Sequence, residues 1–392
     1  MQNTDHHVPI LDAVRGLAIL LVLLIHIGGS MPAPIGITWK VISACARSCW
    51  IGVDLFFVLS GFLITGILYD TRHADKYFRT FYIRRFLRIA PLYYGFLFVI
   101  LTMTGPLKID WRGREWIYLL YLQNAHVMKA VNGTTLSPYI TLDHLWSLAV
   151  EEQFYCVWPA VVFLVKDRIQ LIRLAAVLML GSTAVRLLML FGHKSQWMIY
   201  TFTPARADAL MMGSVLALLF RCDVALQQQL KRLAAVALPA CIAALVLLAL
   251  PTGGLEFSSS NVISFGYTII ALASTALIIL SLTSIRFGMA INSRGLRWLG
   301  KYSYGIYVLH LPVMQLLLRQ HFVTRFEDMY PYTWLKLLIV LSTASVAVGL
   351  AFFSFKFYES KCLRLKRCYP YTYSEAIVSS QDKRDAVVMY SK

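Results

Sequence analysis

The chain is predicted to be an all-α, polytopic membrane protein of about ten transmembrane helices, with both termini in the cytoplasm. Three observations carry this. Of its 392 residues, 58% are hydrophobic and only 15% are charged, where an ordinary soluble domain is about a quarter charged. Mean hydropathy is +0.63. Ten apolar stretches of membrane-crossing length can be drawn, at 10–29, 50–69, 89–105, 144–165, 170–191, 204–221, 233–251, 262–283, 299–318 and 333–355. The stretch Trp116–Gln123 is too short to span and reads as interfacial.

The net charge of +17 would suggest a nucleic-acid partner in a soluble chain. Here Lys and Arg gather on the side of the N-terminus: in the 70–88, 166–173, 221–232 and 286–301 segments and after residue 356. That bias places the N-terminus inside, and an even number of spans returns the C-terminus there. The excess charge is thus mostly topology and anionic-lipid contact, with a remainder available for an anionic ligand and no nucleic acid needed. Seven cysteines show no metal-ligand spacing, and a metal site is not expected. Only Cys45 and Cys49 lie outside, where a disulfide would be chemically permitted. The sequon Asn132-Gly133-Thr134 is also outside.

The first span carries two charges that a membrane helix does not need for insertion. Arg15 lies near its start and His26 near its end. Ionisable groups inside a span are costly and mark function. Eleven residues of helix rise about 16 Å, so the pair covers about half of a hydrocarbon core roughly 30 Å thick. Arg15 can meet a phosphate at the inner surface while His26, suited to take a proton from a hydroxyl near neutral pH, works deep inside. No small-residue cleavage motif follows, so the segment is expected to stay.

Within the second span, the segment Ile51 to Leu63 brings Asp54 near the outer end and a Ser60-Gly61 pair that permits close helix approach. The basic loop after it, Tyr77 to Pro91, holds Arg85 and Arg88 three apart, on one face if helical. Planar guanidinium forks suit phosphate oxygens, although a basic inner loop can also simply hold lipid headgroups. In the segment Leu142 to Pro159, which opens the fourth span, His144 and Glu151 are two helical turns apart, while Glu152 points about 100° away from Glu151. Glu151 lies about 10 Å below an outer start at residue 144, and His26 about 24 Å above the inner edge. Those depths are comparable. Glu151 is therefore expected to orient His26 as the acidic member of a triad does. In the sixth span, Arg206 and Asp208 are two apart and cannot face each other, so each needs another partner. In the ninth, Ser303, Tyr307 and His310 form a polar stripe facing inward.

Taken in order, Arg15-x10-His26, GVDLFFVLSGFLI, RRFLRIAP, HLWSLAVEEQFY, ARADAL and LGKYSYGIYVLH make this chain resemble the membrane-bound acyltransferase-3 family. That family O-acylates surface polysaccharides, lipid-linked saccharides and some antibiotics. The resemblance runs nearly end to end. It implies a ten-helix domain in a bacterial inner membrane that takes an acyl group, usually acetyl, from cytoplasmic acetyl-CoA. Delivery is to a hydroxyl on the outer side, with exopolysaccharide and lipopolysaccharide among the acceptors. The family's first-helix Arg and His fall on Arg15 and His26, and its R-x-x-R on Arg85 and Arg88. Some members append a soluble esterase-like domain; with none in this sequence, the helices or a separate protein would complete the transfer. The tail departs from a frequent Glu-x-Pro version, with Ser360-Lys361 after Glu359, and no role is read into Glu359.

The expectation is a transmembrane acyltransferase domain over 1–358 and a basic, flexible cytoplasmic tail over 359–392. His26 and Glu151 are its catalytic residues. Arg15, Arg85 and Arg88 bind acetyl-CoA, and Asp54, His144, Arg206 and Asp208 bind the saccharide acceptor. Assembly with polysaccharide-synthesis proteins is the partner class this implies. The competing reading is a glycolipid transporter or flippase using the same charges as a pathway. It predicts duplicated halves, and no internal repeat is found.

Overall fold

A computed structural model describes residues 8–29, 37–124, 136–321 and 333–373, and no strand is present among them. The long helices follow the apolar stretches. They are α1 (Pro9–Gly29), α3 (Gly52–Thr71), α4 (Tyr77–Thr102), α6 (Trp146–Leu164), α7 (Arg168–Phe191), α9 (Thr203–Leu219), α10 (Val224–Ala249), α11 (Tyr267–Thr283), α13 (Arg294–His321) and α14 (Thr333–Ser354). Shorter helices are α2 (Ile37–Ser48), α5 (Glu115–Leu119), α8 (Gln196–Thr201), α12 (Ile285–Ile291) and α15 (Ser360–Arg364). Helix α5 is the short piece read as interfacial. Eight helices among the described residues are long and apolar enough to cross a membrane. The stretches read as the fourth and ninth spans, α6 and α13, are outside those eight, because polar residues dilute their hydropathy.

Three local expectations change. Residues 77–88 are not a loop: they form the first three turns of α4, so Arg85 and Arg88 sit on a rigid helix face. Helix α2 and a 3-10 turn at Cys49–Ile51 lead directly into α3, and Lys40–Thr71 forms one helical run long and apolar enough to cross a membrane. Asp54 therefore starts well inside: a Cβ on neighbouring Gly52 would lie 2.6 Å from the carbonyl oxygen of Ala18, midway along α1. Cys45 and Cys49 are both free, the Cys49 thiol lying 3.2 Å from the Cys45 carbonyl oxygen. The sequon and the tail beyond residue 373 lie outside the described residues.

Short polar caps set the helix starts. The side chains of Asp167, Ser195 and Asp223 accept from the backbone N–H of Gln170, Met198 and Leu226, satisfying donors the first turn leaves open. Two glycine pairs then draw the central helices together. Gly16 packs on the Leu296 carbonyl and Gly300 on the Asp12 carbonyl, each with 1.8 Å to a would-be Cβ, and this locks α1 onto α13. Gly61 and Gly213 do the same for α3 and α9, at 2.0 and 1.9 Å from the Leu210 and Val58 carbonyls. In lipid there is no hydrophobic drive between helices, so such backbone contact is what holds them. Helix α10 buries only Ala234 and turns the rest of its surface outward, as a lipid-facing helix should.

Candidate active site

Helices α1, α3, α4, α6 and α13 line a cavity of about 160 Å³. Arg15, Arg85 and Arg88 line it together with Glu151 and Glu152. The structure thus brings the three predicted cofactor-binding arginines to one wall. Arg15 is engaged by Asp12, one turn earlier on α1, at 2.7 Å. The Arg85 guanidinium lies over the Tyr155 ring, 4.0 Å from its centroid, and its Nε is buried without a hydrogen-bond partner. Arg88 makes no hydrogen bond or ion pair among the described residues. Tyr155 donates to Ser60 Oγ at 3.0 Å, and Ser60 donates to Glu151 Oε1 at 2.5 Å.

Beside this cavity stands a cluster of three histidines. The Nδ1 of His26 is 2.7 Å from the Val22 carbonyl oxygen. The Nδ1 of His310 is 3.0 and 2.8 Å from the carbonyl oxygens of Ile306 and Tyr307. A carbonyl only accepts, so both Nδ1 atoms are assigned the proton and both Nε2 atoms the lone pair. The Nε2 of His310 then faces the His26 Nδ1–H at 3.3 Å. The His144 ring stands 5.3 Å from that of His310, with its Nε2 3.2 Å from the Val308 carbonyl oxygen. Tyr307 divides cluster from cavity. It lines the cavity, its hydroxyl donates to the His144 carbonyl at 3.0 Å and meets Ser147 Oγ at 2.5 Å, and its ring is 5.7 Å from His310.

The expected contact between Glu151 and His26 does not form. Matching depths along two helices leaves their azimuths open, and α6 turns Glu151 toward Ser60 and the arginines. His310 takes the place beside His26 instead.

The four residues assigned to the acceptor also separate. His144 belongs to the histidine cluster. Asp54 pairs with Arg206 at 2.7 Å, and Asp208 pairs with Arg186 at 2.7 Å; all four side chains are 2% exposed or less. Arg206 and Asp208 thus have separate partners, as their spacing requires. Arg206 lies over the Tyr267 ring at 4.3 Å, and Arg186 also donates to Thr268 at 2.7 Å. The pairs tie α3 and α7 to α9 and do not line the cavity.

Several site residues were given no site role from the sequence. Arg186 had a signal, an arginine inside the apolar run 170–191. His310 and Tyr307 were named in the inward polar stripe of their span but not assigned to the site. Asp12, Ser60 and Tyr155 had no signal of this kind, since only the packing brings them to the arginines. Among the described residues no group of His, Cys, Asp and Glu has the geometry to hold a metal ion.

A helical membrane bundle with a basic cavity next to buried histidines defines a multi-pass membrane protein with an internal reaction or binding chamber. The sequence profile described as acyltransferase domain matches residues 8–357, and the chain belongs to this acyltransferase-3 family. Among curated relatives, YrhL of Bacillus subtilis (strain 168), provisionally named a peptidoglycan O-acetyltransferase, is 31% identical over 341 residues, 80% of this chain and 50% of its own. The peptidoglycan O-acetyltransferase OatA of Listeria monocytogenes is 30% identical over 381 residues, 90% of this chain and 55% of its own. The O-acetyltransferase OatA of Staphylococcus aureus is 26% identical over 334 residues, 79% of this chain and 51% of its own. The chain thus spans about half the length of these relatives. No solved structure matches.

Proposed function

We propose that the chain is an integral O-acyltransferase of a bacterial inner membrane. It moves an acetyl or other short acyl group from cytoplasmic acyl-CoA to a hydroxyl of a cell-envelope saccharide. The observation that carries this reading is the placement, in an acyltransferase-3 chain, of a three-arginine cavity directly beside His26 and His310. The relatives' names favour peptidoglycan over exopolysaccharide or lipopolysaccharide as the first acceptor to test. Glycan-building proteins that present such strands at the outer face are the partners this implies.

Acyl-CoA suits the cavity on two counts. Among the described residues Arg88 makes no hydrogen bond or ion pair, and the buried Nε of Arg85 is unsatisfied, so these side chains retain capacity for phosphate oxygens. The donor supplies an acyl carbon activated as a thioester. The protein's share is positioning and proton transfer. His26 takes the hydroxyl proton on Nε2 as the oxygen attacks; the C–O bond forms, the C–S bond breaks and the proton passes to the departing thiolate. The same lone pair serves a two-step route, in which Nε2 carries the acyl group before the hydroxyl takes it. In both routes His310 and the Val22 carbonyl hold His26 in the required tautomer. Tyr307 and Ser147 stand where donor and acceptor sides meet.

Mass spectrometry of envelope glycans from cells with and without the protein tests this reading. Loss of one acetyl increment from the peptidoglycan fraction is expected. Unchanged acetylation in every glycan fraction would remove the assignment.

A further inference from the structure

The three cavity arginines lie close together and need counter-charge. Arg15 has Asp12 on its own helix. Arg85 has Glu151 and Glu152 on the facing wall. Arg88 has no hydrogen-bonded or ion-paired acid among the described residues. One further carboxylate approaches from elsewhere in the chain, and the reaction above does not use it.

That carboxylate is Glu359, buried to 6% exposure at the end of a π-helical turn, Phe355–Glu359, which follows α14. A buried carboxylate is expensive unless it is paired, and single π-turns recur at functional sites. Its Oε1 accepts from Ser354 Oγ at 3.1 Å. The turn packs against two helices that line the cavity, α13 and α4. A Cβ on Gly305 of α13 would lie 3.3 Å from Glu359 Oε1, so the carboxylate packs closely on the α13 backbone there. The next residue back, Tyr304, lines the cavity, and its hydroxyl donates to the Ile89 carbonyl at 2.9 Å, one residue from Arg88. On α4 itself, Tyr358 packs 3.6 Å from where a Gly95 Cβ would stand. Glu359 is within electrostatic range of Arg88.

We propose that Glu359 is the third counter-charge of the donor cavity, a positioning residue that holds the Arg88 guanidinium toward the donor's phosphates. The proposal rests on the acyl-CoA reading above. Its test uses the full chain in detergent. Calorimetry with coenzyme A and steady-state transfer from acetyl-CoA are measured for wild type, E359Q, R88A and the double variant. E359Q is expected to weaken coenzyme A binding and raise the acetyl-CoA KM by roughly tenfold, the size of one charge-assisted contact, with kcat nearly unchanged. In the R88A background E359Q should add little, because the effect passes through Arg88. E359D, which keeps the charge, should recover most of the loss. Should E359Q fail to accumulate, S354A, which removes only the orienting hydroxyl, reads the same KM. Unchanged binding in E359Q, or full additivity with R88A, overturns the proposal while wild-type binding keeps the donor reading. Wild type that does not bind coenzyme A overturns both.

Discussion

His26 and His310 meet across α1 and α13, with the His310 Nε2 3.3 Å from the His26 Nδ1 and the ring centroids 4.8 Å apart. The contact depends on α1 and α13 lying backbone to backbone at Gly16 and Gly300. It joins a residue of the first span to one of the ninth, 284 positions later.

Replacing His26 with Ala should abolish transfer, and His310→Ala should lower kcat by about 10²–10⁴-fold, the range for a general acid–base group or its support. Both variants should insert and bind coenzyme A normally, since neither lines the arginine cavity. Near-normal turnover by purified His26→Ala would falsify the mechanism.

Arg85→Ala and Arg88→Ala should each weaken coenzyme A binding by about 1.5–3 kcal/mol, the worth of a charge-assisted contact. Lysine at either position should rescue only partly, because the planar fork is lost. Calorimetry decides this. Unchanged affinity in both variants would return these residues to lipid-headgroup binding.

The Asp54–Arg206 pair is buried, so removing one partner strands a charge. Asp54→Asn and Arg206→Ala should each destabilise the protein by about 3–5 kcal/mol. The double variant should lose less than the sum. Thermal unfolding in detergent measures both. A normal melting profile combined with a raised acceptor KM would instead show direct acceptor contact.

Gly300→Ala puts a methyl 1.8 Å from the Asp12 carbonyl, and Gly61→Ala puts one 2.0 Å from the Leu210 carbonyl. Backbone on both sides cannot yield without parting the helices, at a cost of about 1–3 kcal/mol. Gly181 and Gly349 lie in helices with nothing within 4 Å, and alanine there should be neutral or mildly stabilising. Equal melting temperatures across all four variants would contradict the glycine contacts.

Donor and acceptor should approach from opposite faces. The arginine wall lies toward the N-terminal end of α1, and His26 toward its far end beside α13. In proteoliposomes of known orientation, acetyl-CoA on the Arg85 side should acetylate a saccharide held only on the α2 side. Product formed only when both share a compartment would rule out passage of the acyl group across the membrane.

Helix positions were legible in the sequence because each long helix must present enough apolar length to lipid, and that length is written residue by residue. The boundaries of α1, α7 and α9 fall within one or two residues of the stretches read for them. The three arginines that share the cavity were singled out on different grounds: Arg15 as a charge inside an apolar span, Arg85 and Arg88 as two guanidinium groups on one helix face of a basic segment. Local helical continuity was harder, and residues 77–88 read as a loop because basic residues interrupt the apolar run that α4 nonetheless continues. What the sequence could not carry is azimuth. Glu151 and His26 are matched in depth, yet rotation of α6 sends the carboxylate to Ser60 and leaves His26 to His310. Asp54 and Arg206, 152 residues apart, become a buried pair only because Gly61 and Gly213 let α3 and α9 touch. Hydropathy fixes how far along its axis a residue sits, since lipid discriminates only depth. Which residue it faces is set by the rotation and close approach of whole helices, and those are decided by packing between distant segments.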